Sequence, residues 1–192
     1  MKFKKVETLL KSKKTIIICQ GPDCQWIGDG QAFYPCYEFP VLDEVTLPVL
    51  FDIPADKRDT FTVSVKGLPK NFSFMDTVKD ECPINRGVFD FLIEGTRLEP
   101  VETSQGMVLI GKKYLVPYSD EKEGIQLYER ASTTGAPYIA VKKGFMLVGI
   151  IQPINIIDEK FISTMENIVN SSKIALKNSL TKTNITHDNE YE

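Results

Sequence analysis

Apolar residues fall at Phe3, Val6, Leu9 and Leu10 among lysines, one stripe at helical spacing that predicts a short amphipathic helix over roughly 2–12. The period then changes. Thr15–Cys19 is a continuous β-branched run and reads as a strand. Gly21-Pro22-Asp23 turns it, Gln25-Trp26-Ile27 returns, and Asp29-Gly30 turns again into Gln31–Tyr37. Asp-Gly between two such runs marks a tight hairpin, because both residues accept positive φ. The segment therefore predicts a three-stranded antiparallel meander.

Asp43-Glu44 open a predicted helix reaching about Phe51, with Pro48 as a strain on it, and Pro54 opens a further short turn. Phe61–Val65 alternates cleanly and predicts a strand ended by Gly67. Residues 68–87 are punctuated by proline and glycine and carry little pattern. Beyond them Val88–Ile93, Met107–Ile110 and Tyr114–Val116 read as strands, followed by a second meander of Ile125–Ala131, Tyr138–Lys143 and Phe145–Ile151. The last run is apolar on both faces, with Phe145, Leu147 and Ile151 on one side and Met146, Val148 and Ile150 on the other. Such a strand is covered on both sides. Asp158 is the expected N-cap of a helix whose stripe runs from Phe161 and Ile162 to Leu176, ending near Asn178.

The fold class that results is α+β: antiparallel β meanders with a short N-terminal helix and a long C-terminal helix packed on the sheet. The expected organisation is an N-terminal lobe over 1–70, a linker or long loop over 71–87, a C-terminal lobe over 88–178 and a disordered tail over 179–192. Composition agrees with the sheet-rich part of this picture. Ile, Val and Thr number 47 against 20 Ala and Leu, which argues against a helical bundle.

Charge narrows the partners. The net charge is −3, but residues 1–14 hold six lysines against Glu7, and 179–192 hold one lysine against three acids, leaving −6 between them. A body of that sign lacks the basic stripe that displaces counterions from phosphate, so direct binding of nucleic acid is not expected. No apolar run is long enough to span a bilayer, and Ile16–Cys19 is too short for a signal-peptide core. A cytoplasmic protein is expected. In that compartment Cys19, Cys24, Cys36 and Cys82 are expected as buried free thiols. Zinc is not, since Cys36 and Cys82 lack close ligand neighbours.

Catalytic signatures are missing. His187 is the single histidine and lies in the tail, where nothing holds an imidazole beside a nucleophile. Neither a P-loop nor a dinucleotide fingerprint occurs. Asp90 and Glu94, four apart on a predicted strand, share one face, and Glu121-Lys122 or Asp158 with Lys160 would have to supply the rest of a metal-dependent nuclease. No catalytic residue, metal ligand or cofactor is assigned, and an enzyme is the less favoured reading.

The densest feature is aromatic. Trp26, Phe33, Tyr34 and Tyr37 crowd around the hairpin at Asp29. Such a cluster serves either as the core of a small lobe or as a recognition surface, where large contact area and a polar tip are favoured. Trp26, Asp29, Phe33, Tyr34 and Tyr37 are the candidate binding residues.

Three stretches carry a resemblance: Cys24-Gln-Trp-Ile-Gly-Asp-Gly-Gln-Ala-Phe-Tyr-Pro35, Leu50-Phe-Asp-Ile-Pro-Ala-Asp-Lys57 and Leu127-Tyr-Glu-Arg130, followed by the Gly144-Phe-Met-Leu147 strand and closing helix. They resemble uncharacterised small intracellular proteins of bacterial prophages and mobile elements. The resemblance implies no activity. It implies a context, in which a non-enzymatic protein docks on a host or phage protein and inhibits or modulates it, as anti-CRISPR and other anti-defence inhibitors do. A nucleic-acid-binding protein is one form of such a partner. The alternatives are a carboxylate- and metal-dependent nuclease and a self-associating accessory protein of phage DNA metabolism.

Overall fold

The computed structural model describes residues 1–37, 39–120 and 124–187. Helix α1 (Phe3–Lys13) leads into β1 (Thr15–Gln20), β2 (Gln25–Gly28) and β3 (Ala32–Pro35). Helix α2 (Thr46–Leu50) and a 3-10 turn over Ala55–Thr60 precede β4 (Thr62–Gly67). Then come β5 (Cys82–Ile84), β6 (Phe91–Ile93), β7 (Thr96–Thr103), β8 (Gly106–Gly111) and a 3-10 helix over Lys112–Tyr118. Strands β9 (Gln126–Ala131), β10 (Pro137–Lys143) and β11 (Met146–Ile151) are followed by helix α3 (Glu159–His187). The fold is α+β, with a short N-terminal helix, mostly antiparallel sheets and a long C-terminal helix.

Eight strands form one sheet in the order β4-β1-β2-β3-β11-β10-β9-β5, and β6-β7-β8 form a second, smaller one. All neighbours in the large sheet are antiparallel except β1 and β4. The expected boundary between two lobes is therefore corrected. Ile150 of β11 pairs with Phe33 of β3, so the two meanders are halves of one sheet, and residues 1–154 form one compact unit. A sequence window sees each meander alone and cannot see that their edge strands complete each other.

Alternation sends side chains to two buried layers. Ile16, Ile18, Ile27, Tyr34, Ile139, Val141 and Ile151 join Val6 and Leu10 of α1, Leu47 of α2 and Val101 and Ile110 of the small sheet. On the opposite face Cys19, Trp26, Phe33, Tyr138, Ala140, Leu147 and Ile150 form a second layer with Leu68, Phe72 and Phe74. Strand β11 lies between β3 and β10 and is covered on both faces, as its apolar run predicts. Its parity differs from strict alternation: Leu147 and Ile150 share a face, as do Val148 and Ile151. A bulge on β11 accounts for this: Val141 and Lys142 of β10 pair with Gly149 and Leu147, so Val148 is the extra residue and the faces flip across it.

Other local expectations change as well. Tyr114–Val116 lies in the 3-10 helix rather than a strand, and the strand expected from Val88 begins only at Phe91. Strand β7 escapes the apolar pattern because Arg97, Glu99, Pro100 and Glu102 interrupt it. Glu99 is nevertheless buried, because Arg86 donates from Nε and Nη2 to its two carboxylate oxygens at 2.5 and 2.8 Å. At α2 the side chain of Asp43 accepts the backbone N–H of Val45 and of Thr46 at 2.9 and 2.7 Å, which places Pro48 in the first turn, where its missing N–H costs nothing.

The described residues from Asn155 onward form a second unit. Asp158 caps α3 as expected, accepting the N–H of Phe161 at 2.8 Å. The helix continues through His187, past the end expected near Asn178, while residues 188–192 of the expected tail lie outside the described residues. Ile162, Ile168, Val169, Ile174 and Leu176 along it are exposed. No helix among the described residues is long and apolar enough to cross a membrane.

Candidate functional site

The five sequence-predicted binding residues separate in space. Asp29 closes the hairpin from within: it accepts the N–H of Gln31 and Ala32 at 2.9 and 3.1 Å and the hydroxyl of Tyr114 at 2.9 Å. Tyr34 is fully buried in the first layer, its hydroxyl donating to the Tyr114 carbonyl at 3.0 Å, and burial holds its ionisation well above the usual range. Phe33 is buried in the second layer under Phe74, with ring centroids 6.0 Å apart. These three do not present a recognition surface. They are core or turn residues because a three-stranded meander inside a two-faced sheet has no solvent side on which to display them.

Trp26 and Tyr37 behave differently. Both line a groove of about 690 Å³ between the turn that leads into β2 and the start of that strand, the residues after β3 and the segment 68–77. Trp26 is mostly buried and forms the floor, meeting Phe74 edge to face at 4.9 Å between centroids. Tyr37 is 39% exposed, and its hydroxyl reaches the Leu147 carbonyl at 3.4 Å. Leu68, Phe72, Met75 and Met146 complete the apolar lining, with Asp23, Asp76 and Lys70 around it.

The wall of the groove is an irregular segment held by buried polar side chains. Arg130 is fully buried and donates to the carbonyls of Ser73, Met75 and Asp76 at 3.3, 2.8 and 2.9 Å. The same guanidinium pairs with Glu81 at 2.5 Å, and Lys142 pairs with the other Glu81 oxygen at 2.5 Å. Burial pushes the Glu81 carboxyl up, but hydrogen bonds from Lys142 and Arg130, with their charges, outweigh it and hold the group below its usual range. Tyr138 accepts the Ser73 N–H at 2.9 Å, and Asp76 accepts the Leu147 N–H at 2.8 Å. A loop carries its own backbone polar groups and stays down only when they are paired. Here β9, β10 and β11 supply the partners.

Polarity in the groove is negative. Tyr37 is pushed up to about 12, first by burial and then by Cys24, Asp76 and Asp23. Burial also raises the Cys24 thiol, the Cys36 backbone hydrogen bond opposes this, and Asp23 and Asp76 add to the rise. At the mouth, Met75 is 67% exposed and Met146 50%, and Phe145 at the preceding turn is 84% exposed. Exposed methionines beside a concave apolar floor are features of adaptable docking surfaces.

The segment 68–77 went unrecognised in the sequence because it lacks a period. Leu68, Phe72, Phe74 and Met75 within ten residues were nevertheless a signal, since an apolar-rich stretch with no element of its own must cover something. The carboxylates considered for nuclease chemistry do not come together. Asp90 precedes β6 and pairs with Lys112 at 2.5 Å, whereas Glu94 sits in the β6–β7 turn at a φ of 48°, so the shared strand face is corrected. Glu121 and Lys122 lie outside the described residues. Among the described residues no three His, Cys, Asp or Glu side chains are grouped to hold a metal ion. Of the four free cysteines, Cys19 and Cys36 are buried, Cys24 is half-buried and Cys82 is exposed, which corrects the expectation that all are buried. Comparison with protein families, with curated proteins and with solved structures finds no match for this chain.

Proposed function

We propose that this is a non-enzymatic binding protein whose groove between β2 and the segment 68–77 receives a protein partner, through an apolar side chain flanked by lysine or arginine. The observation that carries the reading is the juxtaposition of an aromatic floor with an exposed rim of Met75 and Met146. Desolvated aromatic pockets concentrate binding energy, and a cationic flank complements Asp23 and Asp76. The resemblance to mobile-element proteins adds a host protein as partner and inhibition or modulation as the outcome, in the manner of an anti-defence or anti-CRISPR inhibitor.

The test substitutes the rim, not the core. Met75→Asp with Met146→Asp is expected to keep the thermal midpoint within a few degrees, because both side chains are exposed. It is expected to weaken partner binding by roughly 30-fold or more, the loss typical of a hot spot. Capture from host cells, crosslinking from position 75 and mass spectrometry read the result. Support is a stoichiometric partner that crosslinks through a segment containing an apolar residue beside Lys or Arg and is lost in the double variant. A partner that survives the substitutions, a second copy of this chain, or no partner overturns the reading.

A further inference from the structure

Three cations from three elements meet at a second cavity, away from the groove. Lys13 ends α1, Arg97 lies on β7 beside the β6–β7 turn, and Lys113 lies in the first turn of the 3-10 helix. Together with Ser12, Gly95 and Thr96 they line a cavity of about 380 Å³. That volume lies within the range of small-molecule sites, roughly 300–1,000 Å³.

Nothing in its lining neutralises the charge. Lys2, which precedes that helix, and Lys4, Lys5 and Lys11 on it are each paired with Glu7 or Asp120. No ion pair involves Lys13, Arg97 or Lys113 among the described residues. The carboxylate facing Lys113 is Asp29, and it is already occupied by the N–H groups of Gln31 and Ala32 and by the Tyr114 hydroxyl. The Tyr114 ring lies 4.9 Å from the Lys113 ammonium. Ser12 spends its hydroxyl proton on the Leu9 carbonyl at 2.6 Å, whereas Thr96 lines the cavity with a hydroxyl able to donate. Like charges held together by separate elements oppose folding unless an anion joins them.

We infer that Lys13, Arg97 and Lys113 form a site for a phosphate dianion, either free or carried as the terminal phosphate of a small metabolite. The two ammonium groups supply point charges and the guanidinium a planar fork that matches two phosphate oxygens. The state of Lys113 agrees with an empty cation cluster: burial first, then the neighbouring Lys13, bring it down to about 8 against the opposing pull of Asp29. A bound dianion restores its proton, and phosphate itself loses its second proton only near neutral pH, so binding is expected to be greatest at about pH 7–8 and to fade above that.

The experiment titrates the full chain with inorganic phosphate by calorimetry and thermal melting, against sodium chloride at matched ionic strength. A phosphate-dependent rise in midpoint is expected, and Lys113→Gln with Arg97→Gln should remove it. Lys113→Gln alone should leave or raise the midpoint without phosphate, which a structural lysine would not do. AMP distinguishes the sources: tighter binding than inorganic phosphate identifies a phosphate monoester, and equal or weaker binding the free ion. A midpoint no higher in phosphate than in chloride, phosphate binding retained in the double variant, or salt-sensitive binding of duplex DNA without phosphate binding overturns the inference.

Discussion

Arg130 shows how much one side chain decides. It has no solvent exposure, sits in a sheet strand, and is kept there by Glu81 and three carbonyls of a segment over fifty residues earlier. Arg130→Met would leave those carbonyls without donors and Glu81 with Lys142 alone. We expect a loss of about 3–5 kcal/mol in chemical denaturation, the cost typical of removing one partner from a buried charged pair. Trypsin cleavage after Lys70 or Lys79 should accelerate in the same variant, because the segment loses its clamp. Unchanged stability and cleavage would mean that the groove wall is held by its aromatic contacts instead. Tyr34 carries the opposite lesson. The sequence singles it out with Trp26 as a polar-tipped aromatic, yet its hydroxyl is spent inside the core, so its truncation reports on folding rather than recognition.

Among the elements, the hydrophobic period was most legible where one face or both faces of a regular segment are buried. Helix α1, strands β1 to β4 and the β9–β11 meander lie within a few residues of their expected bounds. Strand β7 and the segment 68–81 were not legible, for one reason: their burial is made possible by charged partners that lie outside the element itself. Arg86 allows Glu99 into the interior, and Arg130 allows a loop to lie on a sheet. Residues 1–154 contain both buried layers, and the Ile154 N–H closes on the Leu109 carbonyl at 2.8 Å. A chain ending after Asn155 is therefore expected to melt cooperatively with a far-ultraviolet spectrum dominated by sheet. A broad, non-cooperative transition would show that the first unit requires the second.

Across the whole molecule, the acids paired with lysine or arginine set a pH dependence. Glu7 and Glu81 are both raised by burial and lowered further by paired lysine or arginine, ending below the ordinary glutamate value of 4.5. Asp120 is drawn down to about 2 by hydrogen bonds from Lys2 and then Lys5. At low pH the unfolded chain therefore binds more protons than the folded one. The stability these groups contribute is complete above about pH 5 and is lost as pH falls through their lowered folded values. Denaturant midpoints should be flat from about pH 5 to 7 and fall steadily below 4. A midpoint that holds constant down to pH 3 would contradict this reading.

The sequence by itself determined the α+β class, the two meanders, the N-terminal helix and the capped start of α3, because each rests on local period, turn chemistry or a cap within a few residues. It also brought Trp26 and Tyr37 forward as aromatics with a recognition role to test. Only the tertiary structure decided that the meanders share one sheet, that Phe33 and Tyr34 are interior, and that Leu68 to Thr77 wall a groove. It alone brought Lys13, Arg97 and Lys113 to one cavity. Those outcomes depend on pairings across tens of residues, made when edge strands meet and buried charges find partners, and no local pattern in the chain encodes which distant segment will arrive.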